Sequence, residues 1–174
     1  MSETTLRRLR AIRRELESRV RESAIIVVLM GASGQGLSQR RRLRSALSRR
    51  GVLALVPEDD FPKDIAPSIV ERAMLSRADI DLAFINLKSW GTATEFGQLH
   101  QIRRTARKLR VLVNPEHHPL HGKSRSYLTD LYLTHLAAYG HIYPVTTTRR
   151  PPFPSVKKTV MKLAVRYAQW KALR

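Results

Sequence analysis

Five short apolar runs, each followed by a segment of helical periodicity, leave this chain few ways to fold. The runs are AIIVVLM (24–30), VLALV (52–56), the segment 80–87 within ADIDLAFINL, RVLVN (110–114) and HIYPV (141–145). They are rich in β-branched residues and show little polar alternation, as expected of strands buried on both faces. Between and after them, 37–49, 65–78, 92–109, 125–138 and 155–172 carry apolar residues at helical spacing. Strand–helix alternation of this kind implies parallel strands with helices on both faces. The expectation is an α/β fold in three αβα layers, a doubly wound five-stranded parallel sheet in the flavodoxin-like order 2-1-3-4-5. A further amphipathic helix is expected at 4–22, with Leu6, Leu9, Leu16 and Val20 on one side. The domain reading is therefore an N-terminal helix within 1–22 and a single α/β domain over 23–174. No repeat or linker divides the chain.

Composition narrows the class. The 174 residues are 43% hydrophobic, enough for one sizeable core. There is no cysteine, which excludes disulfides, thiolate metal sites and a cysteine nucleophile. The apolar run 24–30 is far shorter than the ~20 residues that a membrane helix needs, and no h-region follows the charged N-terminus. A cytoplasmic protein with no membrane partner is expected. Lys and Arg number 32 against 14 acids, a net charge of +18. The clusters RRLRAIRR (7–14), RRRLRSALSRR (40–50) and RRTARKLR (103–110) each lie in a helical pattern and read first as solvated helix faces. Such a surface can attract nucleic acid or phosphate, or reflect an arginine-rich proteome.

In doubly wound sheets ligands bind at the carboxyl ends of the strands, where the strand order reverses. That rule selects two loops. GASGQG (31–36) follows strand 1 and spaces its glycines as G-x-x-G-x-G. It is neither the dinucleotide fingerprint nor a P-loop, but glycine-rich backbone at a helix start suits an anion. Gly31, Ser33, Gly34 and Gly36 are its ligand candidates. KSWGTATE (88–95) follows strand 3 and places a lone carboxylate, Glu95, among small and apolar residues. Thr92 is a good N-cap and Glu95 stands three residues on, where a capping box puts its glutamate. Gly91 permits close backbone approach.

The order of these features, a glycine-rich turn, then ADIDLAFINL, then GTATEFG, resembles the nucleoside 2-deoxyribosyltransferase-like group. More distantly it is similar to the lonely-guy phosphoribohydrolases and related nucleotide-sensing Rossmann-like domains. The likeness spans about 24–115 in layout, and residues 91–97 and the first loop as motifs. It implies a nucleoside or nucleotide ligand and chemistry at an N-glycosidic bond. Glu95 would be the nucleophile that holds a glycosyl intermediate, or a ribose-binding group, kept ionised by the positive end of its helix. Non-catalytic nucleotide sensing is the alternative from the same likeness, and nucleic-acid binding the alternative from charge. Ser89 stands where the transferases commonly carry an aspartate, and Lys88-Ser89-Trp90 stands where the phosphoribohydrolases carry two glycines and a proline. The likeness also implies a homo-oligomer, with 4–22 as a plausible dimer element.

Other candidates come from position. Ser89 and Trp90 open the second loop, and Trp90 could stack on a base or pack in the loop. Glu58, in the turn PEDDFP after strand 2, could hold ribose hydroxyls. Asn114 ends strand 4 and could contact a ligand or begin a turn. Asp79 and Asp81 lie at the amino end of strand 3, away from the expected site. His117, His118 and His121 lie in a proline-containing loop whose spacing fixes no common face, so they read as a polar loop rather than a metal site. No metal and no cofactor is expected.

Overall fold

The structure, a computed structural model, describes residues 25–146 and 152–173, together with Arg7, Arg14 and Ser18. The helix expected over 4–22, and with it the suggested dimer element, otherwise lies outside the described residues. Five parallel strands form one sheet: β1 (Ile25–Gly31), β2 (Val52–Leu55), β3 (Ile80–Asn86), β4 (Leu109–Val113) and β5 (Ile142–Pro144). Their spatial order is β2-β1-β3-β4-β5, the expected 2-1-3-4-5. The register sets Val27 beside Leu82, Ala83 beside Leu109 and Val111 beside Ile142.

Alternation along the strands splits the core in two. Val27, Leu29, Leu82 and Phe84 face one side, under α1 (Gln35–Ser48) and α7 (Val156–Ala172), which add Leu43, Leu47, Val160 and Ala164. Val28, Met30, Ala83 and Ile85 face the other. There α3 (Pro67–Leu75), α4 (Trp90–His100) and α6 (Tyr127–Tyr139) contribute Val70, Phe96, Leu99 and Tyr132. The crossover helices thus leave β1 and β3 on opposite faces, which places the switch point between these two strands.

Two segments depart most from the expected elements. PEDDFP is not an open turn: Pro57–Asp60 forms one helical turn, α2, and the Asp60 carboxylate accepts the Val56 N–H at 2.7 Å. The helix expected over 92–109 ends at His100 and resumes as α5 (Arg103–Ala106), with Ile102 extended between them. The break reorients the chain so that Thr105 and Ala106, both 0% exposed, pack inward just before β4. No described helix is long and apolar enough to cross a membrane.

Outside the candidate site, histidines occupy the α4–α6 seam. His100 Nδ1 lies 2.9 Å from His135 Nδ1, and His135 is fully buried. Burial holds His135 and His141 down to about 4. Between about pH 6.5 and 4 the unfolded imidazoles bind protons that the folded ones refuse, so stability contributed by both is lost as pH falls through that window. Denaturant midpoints should decline from pH 6.5 to 4, and a His135→Leu variant should show a shallower decline. Equal slopes in the two proteins would sink this account.

Candidate active site

Glu95 is not a capping residue. The N-cap of α4 is Ser89, extended at φ −143°, and its partner at N3 is Thr92. The Ser89 hydroxyl accepts the Thr92 N–H at 3.3 Å, and the Thr92 hydroxyl accepts the Ser89 N–H at 3.2 Å. This corrects the expected Thr92–Glu95 box. The sequence holds two overlapping boxes, and the geometry of the chain leaving β3 selects the earlier one. Glu95 therefore sits beyond the first turn, where the helix-terminal field has faded. Ser89→Ala should cost about 1 kcal/mol in chemical denaturation, and Glu95→Gln should not reproduce a capping loss.

The Glu95 side chain turns towards α3, where its carboxyl group faces that of Glu71. Two carboxyl groups can hydrogen-bond only through a proton that one of them carries. Withdrawal from water, then the Glu71 hydrogen bond and charge, push Glu95 up to about 9, with Arg40 opposing. Burial also raises Glu71. The expectation of a Glu95 held ionised by its helix is thus reversed: the pair holds a proton at neutral pH.

Arg40 and Glu58 complete the cluster. Arg40 belongs to the arginine run of α1 but is only 8% exposed, so it is not part of the solvated face expected for that run. Its two terminal nitrogens each donate to Glu58 at 2.6 Å, and they also donate to the carbonyls of Leu29 at 3.3 Å and Ala32 at 2.9 Å. The tip of β1 is thereby tied to α2. Glu58 keeps the expected place after β2, but both of its oxygens are engaged by Arg40. Glu58 and Glu71, but not Glu95, line one pocket of about 400 Å³, with Phe61, Ile65 and Val70 as apolar wall residues and Lys63 beside them.

The remaining candidates fall elsewhere on the same edge. Ser89, Trp90 and Asn114 line a groove over β3–β5, where Trp90 is 83% exposed. Trp90 and Ala93 face that groove, whereas Glu95 turns to the α3 side of α4, so the structure does not bring Trp90 and Glu95 to one bond. Asn114 also starts a turn, its side chain accepting the Glu116 N–H at 3.1 Å. Gly31 and Gly36 line a second groove over β1; Ser33 and Gly34 are exposed and outside its wall. Gly34 has φ 63°, the one position of this loop whose backbone favours glycine. Thr92 is buried in its cap, and Gly91 is exposed beside it. Asp81 is structural, accepting the Ile26 N–H at 3.0 Å and pairing with Lys171 at 2.9 Å. His118 is buried and its Nδ1 accepts the Leu120 N–H at 3.2 Å, so the histidine loop is internally bonded.

Two residues of the cluster were not singled out from sequence, Glu71 and Arg40. The signal for Glu71 was weak, a single acid in the short helix PSIVERAML. The basic charge of α1 is also less available than the sequence implies. Arg41 pairs with Asp59 at 2.6 Å, and Arg44 pairs with Asp59 at 3.2 Å and Asp60 at 3.0 Å.

No family model matches this chain, and no curated protein matches it either.

Proposed function

We propose that this chain binds a nucleoside or nucleotide in the Glu58–Glu71 pocket and cleaves or transfers at its N-glycosidic bond. The observation that carries the reading is the facing carboxyl groups of Glu95 and Glu71 beside the Arg40–Glu58 ion pair. The likeness of GTATEFG to the deoxyribosyltransferase motif supports the same assignment for Glu95. A carboxyl–carboxylate pair is suited to a centre that develops oxocarbenium character while a basic nitrogen leaves.

The roles follow from the proton inventory. Glu95 carries the shared proton at rest. Moving it along the hydrogen bond to Glu71 frees Glu95 to attack the anomeric carbon. The carbon–nitrogen bond then breaks, and the base departs with the proton from Glu71. The ionised Glu71 next takes a proton from water, or from an acceptor nucleobase, as that group displaces Glu95 from the sugar. Glu71 then holds the proton and Glu95 the charge, and transfer of that proton back to Glu95 restores the resting pair. Arg40 fixes Glu58, whose outer face is left to accept ribose hydroxyls, and the Phe61–Ile65–Val70 wall offers an apolar surface for the base.

The test is release of free base, followed by chromatography, from a panel of nucleosides, deoxynucleosides, nucleoside monophosphates and NAD. Release from at least one class is expected. Ligand-induced stabilisation with no release from any of them would replace this reading with nucleotide sensing.

A further inference from the structure

The two grooves on the carboxyl edge differ from the carboxylate pocket in one respect: neither has an acid in its wall. The larger, about 780 Å³, runs over β3–β5 past Trp90, Asn114, His117 and Thr129. The smaller, about 600 Å³, runs over β1 past Gly31, Gln35, Arg42 and Lys157. They share Asn86, Lys88 and Thr146, so Lys88 stands at the junction of both. Each volume alone falls in the range of a small-molecule site.

Their electrostatics favour an anion at the junction. Four helices start on these walls: α4 and α6 at the larger groove, α1 and α7 at the smaller. The first residues of each helix, where its positive end lies, are thus part of a groove wall. No side chain caps α1. Arg40 also lines the smaller groove; it is 8% exposed and its Nε has no hydrogen-bond partner. In the larger groove, the exposed Trp90 ring offers a flat apolar surface beside the neutral polar groups of Ser89, Asn114 and Thr129.

We infer that the joined grooves form a second ligand site, separate from the Glu58–Glu71 pocket, for a pyrophosphate-linked dinucleotide. Its phosphates lie over Lys88 and Asn86, one nucleoside occupies each groove, and Trp90 stacks on the base in the larger. No residue of the carboxylate pair lines the site, and Arg40, which holds Glu58, is the one member of that cluster in its wall.

Calorimetric titration tests this with NAD, ADP and adenosine as probes, using both the wild type and Glu95→Gln, which removes turnover as a confounder. NAD should bind about ten-fold or more tighter than adenosine, with ADP between them. Lys88→Ala, at an exposed position, should weaken NAD about ten-fold and adenosine little, and Trp90→Ala should weaken both. Glu95→Gln should leave NAD affinity unchanged. Equal binding of NAD and adenosine, or no effect of Lys88→Ala on NAD, would overturn the site. So would loss of NAD binding in Glu95→Gln, which would merge it with the carboxylate pocket. Displacement of NAD by a single-stranded oligonucleotide at lower concentration would overturn it in favour of a polynucleotide surface. Base release from nucleosides without phosphate preference in binding would leave the catalytic reading standing and this one refuted. Tight NAD binding without release of base would do the reverse.

Discussion

Replacing Glu95 by glutamine should reduce base release by about 10³-fold or more while leaving the fold intact, because the amide preserves shape and hydrogen bonding but cannot attack carbon. The amide N–H donates to Glu71 as the protonated acid does, so the helix pair stays in register. Glu71→Gln should behave differently. Its loss is that of a proton donor, about 10²-fold, and it should depend on the leaving group. A glycoside with an activated leaving group, such as nitrophenolate, needs no proton and should restore the Glu71→Gln rate while leaving Glu95→Gln inactive. The pH profile carries the same assignment. The mechanism uses the pair with one proton, so the rate should fall on the acid side as both groups protonate. It should fall again through about pH 9 as the last proton leaves. A rate that climbs past pH 9 to a plateau would remove Glu71 as the acid. Full activity in Glu95→Gln would return Glu95 to a structural role.

The fold was legible because burial on both faces writes itself locally. IIVVLMG and IDLAFIN keep nearly every position apolar, and no polar alternation competes with the strand reading. The switch point then followed from topology, and it directed attention to Glu95 and Glu58 after strands 3 and 2. What the sequence could not carry is the pairing across elements. Glu95 gains its character from Glu71 on α3 and Arg40 on α1, residues 24 and 55 positions away along the chain. Local spacing instead offered the nearer partner Thr92, which the earlier capping box claims. The same limit explains Arg40. Within the basic run RRRLRSALSRR nothing distinguishes the one guanidinium that turns inward, because the acid that holds it, Glu58, belongs to the segment after the next strand. Trp90 shows the converse. Five positions of helix separate it from Glu95, enough rotation to put the two on different sides of α4, so closeness in sequence did not become closeness at a bond.

Stability should expose the buried proton independently of any substrate. In the unfolded chain Glu95 ionises near the ordinary 4.5, whereas in the folded protein it holds its proton to about 9. Between these values the folded state binds more protons than the unfolded one, so stability falls as pH rises. The contribution is complete below pH 4.5 and is lost progressively as pH climbs through 9. Glu95→Gln has no proton to lose and should escape this decline. The two proteins should differ little near pH 5, and the variant should become the more stable as pH increases, by on the order of 3 kcal/mol at pH 9. Urea titrations at pH 5, 7 and 9 measure the difference directly, and subtracting the variant from the wild type cancels the opposing histidine contribution below pH 6.5. Glu71→Gln relieves the same strain from the other side: with the neighbouring charge gone, Glu95 should titrate lower and part of the decline should vanish. A wild-type minus variant difference that is flat from pH 5 to 9 would mean that Glu95 is already ionised, and the proton the mechanism moves between Glu95 and Glu71 would not be there to move.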